Sequence, residues 1–162
     1  MKKQQVSKAH PIIVVLDNIR SALNVGAIFR TCDATNIEKL MLCGITAYPP
    51  HSRIPKTALG ATESVPWEHY KTTEDTIKTM QLSNYVTISV ELTSNATNLW
   101  DYEFKPNTAL VFGNEISGIS KEVQKMSDDV VKIPMFGKKK SLNVATSCGI
   151  VLYEALRQLS KN

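Results

Sequence analysis

Five polar side chains stand in three short segments of this 162-residue chain: Asn24 and Arg30, then Glu115, then Ser141 and Asn143. Their types limit what they can do. A guanidinium presents a fork of donors that suits phosphate or carboxylate. Glu115 follows Gly113 and Asn114 and precedes Gly118, and glycines let a backbone approach a ligand closely. Ser141 lies where a serine would cap a following helix. Lys138, Lys139 and Lys140 make the third segment positive, either as a solvated loop or as a group set to meet phosphate. Neither GxGxxG nor a Walker A pattern occurs. No segment identifies a reaction by composition alone.

The elements around these segments alternate between two periods. Ile12–Leu16 (IIVVL) is a short β-branched run, the pattern of a strand buried on both faces. Lys39–Cys43, Tyr85–Val90, Thr108–Phe112 and Asp129–Ile133 read as further strands. Asn24 is the expected N-cap of a helix whose apolar stripe is Val25, Ile28, Phe29 and Cys32. Arg30 falls on the opposite side of that helix, where a solvated arginine is the plain alternative to a functional one. Tyr48–Lys56 holds three prolines and reads as a loop. Thr73–Leu82, with Ile77 and Met80 inward, and Lys121–Met126 read as helices. Leu142–Leu159 is amphipathic, its apolar side formed by Val144, Cys148, Val151, Leu152, Ala155 and Leu159. The order β-α-β-α-β-β-α-β-α predicts an α/β architecture with a largely parallel sheet flanked by helices. In such sheets ligands bind at loops leaving the carboxyl ends of strands. Asp17–Asn24, Gly113–Ser120 and Pro134–Asn143 are three such loops.

A hydrophobic content of 43% suits one domain with a real core, spanning 1–162, with 1–10 expected to be a flexible N-terminus. No apolar run reaches the length of a membrane span, and the start MKKQQVSKAHP lacks the apolar region of a signal peptide. A cytoplasmic protein without a membrane partner is expected. Cys32, Cys43 and Cys148 are odd in number, widely spaced and set in apolar stretches, so they read as small buried hydrophobes and no metal site is expected. A net charge of +4 permits nucleic-acid binding without establishing it.

Taken together, NVGAIFRTCDA (Asn24–Ala34), LVFGNEISGIS (Leu110–Ser120) and VKIPMFGKKKSLNVATSCGIVLYEALRQ (Val131–Gln158) resemble the SpoU (TrmH-like) branch of the SPOUT RNA methyltransferases. Each motif is moderately specific. The ordered set, with its flanking strands, is highly specific and covers nearly the whole chain. The resemblance implies a deep C-terminal trefoil knot built from the second and third loops. It implies S-adenosylmethionine as cofactor, held near Phe112, Gly113, Asn114, Gly118, Ile133, Met135, Ser141 and Leu142. It implies a homodimer whose active site is completed across the interface, with the last helix packed there. RNA is the implied partner, tRNA ahead of rRNA, and DNA is not.

The implied reaction is methyl transfer to a ribose 2′-hydroxyl, a poor nucleophile that must lose a proton as it attacks. Such a site must align oxygen, carbon and sulfur and take up that proton. In the family, the arginine at the position of Arg30 is proposed as the base. Since a guanidinium normally stays protonated, the alternative is an anchor for phosphate that stabilises charge on the attacking oxygen. Asn24 would orient the ribose or Arg30. Glu115 would fix the second loop or lie near the cationic methyl donor. Ser141 and Asn143 would complete the pocket. The chain departs from the pattern at Ala145, where many relatives carry serine. No added RNA-binding domain of the kind several relatives carry is expected, so Arg30, Arg53, Lys56, Lys138, Lys139 and Lys140 are the expected RNA contacts. Base methylation, as in other SPOUT branches, and a non-catalytic RNA-binding or ribosome-assembly protein of the same fold are the competing readings.

Overall fold

The computed structural model describes residues 7–160. Among them, seven strands form one sheet in the order β3-β2-β1-β6-β4-β7-β5, and every pairing is parallel. The strands are β1 (His10–Asp17), β2 (Ile37–Cys43), β3 (Trp67–Tyr70), β4 (Val86–Val90), β5 (Thr97–Asn98), β6 (Thr108–Phe112) and β7 (Asp129–Lys132). The helices are α1 (Ala22–Ala34), α2 (Pro55–Ala58), α3 (Ala61–Ser64), α4 (Thr73–Leu82), α5 (Lys121–Met126) and α6 (Val144–Leu159).

Parallel sheets need cover on both faces, and the sequence supplies it residue by residue. Along β1, Ile12, Val14 and Leu16 join the core under α1 and α6, while Ile13 and Val15 join the core under α4 and α5. The α1 stripe of Val25, Ile28, Phe29 and Cys32 is fully buried. So are Cys148, Val151, Leu152 and Ala155 of α6, with Leu159 partly buried at its end. All three cysteines are free and buried, and burial pushes the thiols up, Cys43 to about 11 and Cys148 to about 12. Among the described residues, no helix is long and apolar enough to cross a membrane.

The expected α/β sheet is present, and it is parallel throughout rather than largely so. Two helix starts differ from expectation. Ser21, not Asn24, caps α1, its side chain accepting from the Asn24 amide at 3.2 Å. Asn143, not Ser141, caps α6, accepting from the amides of Ala145 (2.9 Å) and Thr146 (3.2 Å). In both cases several good capping residues compete, and only the tertiary path of the loop selects one. The proline-rich stretch ends in a short helix, because Pro55 sits at a first helical position. β3 and β5 are not visible in the sequence, being four and two residues long and defined by their parallel neighbours. The expected flexible segment 1–10 falls partly on residues 1–6, outside the described residues. Ser7 and Lys8 are tied to Asn36, and His10 already belongs to β1.

Candidate active site

β1 and β6 are neighbours, yet the chain leaves β1 toward β2 on one side and leaves β6 toward β7 on the other. That reversal opens a crevice at the carboxyl ends of the two strands, the ligand position of open α/β sheets. The loop after β1 and the loop after β6 meet there. Asn114 Nδ2 donates to the Asn18 carbonyl at 2.6 Å, and Asn114 Oδ1 accepts from the amides of Ile116 and Ser117. Gly118 holds φ +67°, and a side chain on it would run into the Glu91 carboxylate. A side chain at Gly113 would meet the Ile119 amide at 2.5 Å, so the loop closes only on glycine.

Glu115 reaches back across the crevice. Its carboxylate accepts from the Arg20 amide (2.9 Å), the Ser21 amide (3.0 Å) and Asn24 Nδ2 (3.2 Å). Desolvation pushes the carboxyl up, but the amides of Arg20 and Ser21, its own amide and Asn24 together hold it below the usual range. Asn24 Oδ1 in turn accepts from Asn143 Nδ2 at 3.1 Å, and Asn143 caps α6. One continuous relay, Glu115–Asn24–Asn143, therefore binds all three sequence motifs to each other.

Beside this relay lies a cleft of about 550 Å³. All eight residues expected to hold a cofactor line it: Phe112, Gly113, Asn114, Gly118, Ile133, Met135, Ser141 and Leu142. Glu115 and Lys140 also line it, whereas Asn24 and Asn143 stand behind its rim.

The model of the SpoU rRNA Methylase family matches residues 11–153. This chain belongs to that family. A tRNA (guanosine(18)-2′-O)-methyltransferase from Aquifex aeolicus is 32% identical over 151 residues, covering 91% of this chain and 69% of the relative. A 23S rRNA (guanosine-2′-O-)-methyltransferase from Vibrio cholerae is 30% identical over 154 residues, covering 94% of this chain but only 61% of the relative. Among solved structures, the SpoU methyltransferase AviRb from Streptomyces viridochromogenes in complex with AdoMet superposes with a TM-score of 0.86 at 25% identity, over 97% of this chain and 64% of that one. The A. aeolicus TrmH/SpoU tRNA modifying enzyme gives 0.86 at 28% identity, over 95% and 78%.

In this SpoU chain the expected RNA contacts do not converge. Arg30 and Lys56 line a separate depression of about 490 Å³ with Tyr153 of α6. Arg53 lines a third, of about 500 Å³, with Arg20 and His51, and that one shares Glu115 and Ile116 with the cleft. Lys138 and Lys139 are exposed on the loop before α6. Two participants escaped the sequence reading. Glu91, just beyond β4, accepts from the amides of Ile119 (2.9 Å) and Leu92 (3.0 Å) and so shapes the cleft wall. Its one signal was an acid immediately after a buried strand. Arg20 sits in the first loop with no local pattern to mark it, and its amide rather than its guanidinium meets Glu115.

Proposed function

We propose that this chain transfers a methyl group from S-adenosylmethionine to a 2′-hydroxyl of RNA. The observation that carries the reading is the convergence of eight motif residues on one cleft whose rim is stitched to Asn24, Glu115 and Asn143. The cleft fits the cofactor chemically. Its volume lies within the ordinary range of small-molecule sites. Ile133, Met135 and Leu142 offer apolar walls to a purine, and the Asn114–Ser117 turn offers polar groups to a charged tail. S-adenosylmethionine supplies an electrophilic methyl carried on a sulfonium.

The chain's own residues do the rest. Glu115 and Asn143 hold Asn24 from both sides, so Asn24 keeps a fixed orientation toward the crevice. Ser141 closes the cleft near the start of α6. Arg30 receives the phosphate beside the target ribose and stabilises charge on the attacking oxygen, or takes up its proton. Arg30 lines a different depression from the cleft, which supports the reading in which a second copy brings its own Arg30 to complete the site. The exposed Ile150 and Tyr153 of α6 suit that homodimer contact. The family knot would thread the loops after β6 and β7 within this single domain. tRNA stands ahead of rRNA as substrate, on the greater share of the Aquifex tRNA enzyme that this chain spans.

The test is incubation with labelled S-adenosylmethionine and separate pools of unmodified tRNA and rRNA, alongside Arg30→Ala, followed by digestion to nucleosides. A 2′-O-methyl nucleoside from one pool, lost in the variant, is the expected result. Label on a base, or no label with no cofactor binding by calorimetry, overturns the reading.

A further inference from the structure

Trp100 and Phe136 stack on each other in the open. Their ring centroids are 5.8 Å apart and their planes 26° from parallel, yet Trp100 is 67% exposed and Phe136 83%. Neither ring is part of the core, so the pair does not serve the interior. Both rise from the same corner of the sheet. β5 and β7 pair with Asn98 opposite Lys132, and the two aromatics follow just beyond those residues, at the carboxyl edge that also holds the cleft. The Trp100 backbone is fixed there, its amide donating to Asn98 Oδ1 at 3.0 Å. Phe136 directly follows Met135 of the cleft wall. Lys138, Lys139 and Lys140 come next in the same loop, all exposed, and among the described residues none of them forms an ion pair.

Exposed aromatic faces beside unneutralised lysines match single-stranded nucleic acid, in which bases stack and phosphates seek cations. A paired base has no free face to offer. We infer that Trp100 and Phe136 form a stacking platform for an unpaired base of the RNA substrate next to the cleft, with Lys138–Lys140 holding its backbone. The inference rests on the proposed RNA activity and names the form of RNA that the site receives.

The chain has two tryptophans, Trp67 and Trp100, so Trp67→Phe leaves Trp100 as the sole reporter. Titration of that variant with a single-stranded twelve-nucleotide RNA should quench its fluorescence, and a duplex of the same length should quench it far less. In the otherwise unaltered chain, Trp100→Ala and Phe136→Ala should each weaken binding of the single strand about tenfold. Trp100→Phe should restore most of the loss. S-adenosylmethionine binding by calorimetry and the sedimentation coefficient should stay unchanged, since both side chains are exposed. Single-strand binding that survives Trp100→Ala and Phe136→Ala within twofold, or equal quenching by duplex, overturns this inference alone. A changed sedimentation coefficient overturns it in favour of a surface for a second copy. Failure of the unaltered protein to bind any RNA overturns the proposed activity and this inference with it.

Discussion

The cleft beside β6 and the face carrying Arg30 are built in opposite ways. The cleft is made of backbone: glycines that admit no side chain, amides collected by Asn114, Glu91 and Glu115, and short apolar walls. Its described lining comes from the loops after β4, β6 and β7 and the start of α6. The Arg30 face presents long exposed side chains, Arg30 and Lys56 beside Tyr153, over a floor of small residues that includes Ala27 and Thr31. A fold can preorganise the first kind of site unaided, because the turn after a strand is fixed by the strand. The second kind acquires its geometry only when something docks on it. Cofactor binding and methyl transfer should therefore separate cleanly under mutation.

Arg30→Ala should separate them most widely. Methyl transfer should fall by about 100-fold or more, the scale of losing a preorganised donor at a reacting oxygen, while S-adenosylmethionine affinity stays within twofold. A parallel loss of cofactor affinity by calorimetry would break the contrast. Gly118→Val should act in reverse. A β-branched residue at φ +67° facing Glu91 costs about 1–3 kcal/mol of strain, and cofactor binding should weaken tenfold or more while the Arg30 face is untouched. Asn143→Ala should remove the α6 cap at a cost of about 1 kcal/mol, seen as a melting point lower by about 2–4 °C. It should also free Asn24, so the rate should drop further than cofactor affinity does.

The smallest effect belongs to Glu115→Gln. The Glu115 carboxyl is held below its ordinary value of 4.5, so its contribution to stability is fully present above that value and lost as pH falls through the lowered folded one. Because the group is exposed, the stability gap between wild type and variant should be under about 1 kcal/mol at neutral pH. That gap should close in acid. A gap that stays constant down to the acid limb would show that the relay depends on shape and not on charge.

What the sequence revealed of each region follows the same division. β1 and β6 were plain because IIVVL and TALVF are buried on both faces, and α4 and α5 have the bounds their periodicity predicts. The cleft residues lie where strand ends put them, so motif position alone located them. The relay was hidden, since Asn24, Glu115 and Asn143 are far apart in the chain and meet only in three dimensions. For the same reason Asn24 resembles a cap: locally an asparagine before an apolar stripe looks like one, and only the path of the first loop hands that task to Ser21. Arg53 and Lys56, both expected to contact RNA, open into different depressions because α2 begins between them.

The place of β1 in the sheet has a consequence for the making of the protein. Its two neighbours are β2, which follows almost at once, and β6, which pairs Thr108–Phe112 with Ile12–Leu16. At a synthesis rate of about 5–20 residues per second, the buried IIVVL run of β1 waits roughly 5–20 seconds with one edge open. An unpaired apolar edge is a template for the wrong partner. This chain is thus at its most vulnerable before the loops after β6 and β7 exist, and its yield in the cell depends on what shields IIVVL during that interval.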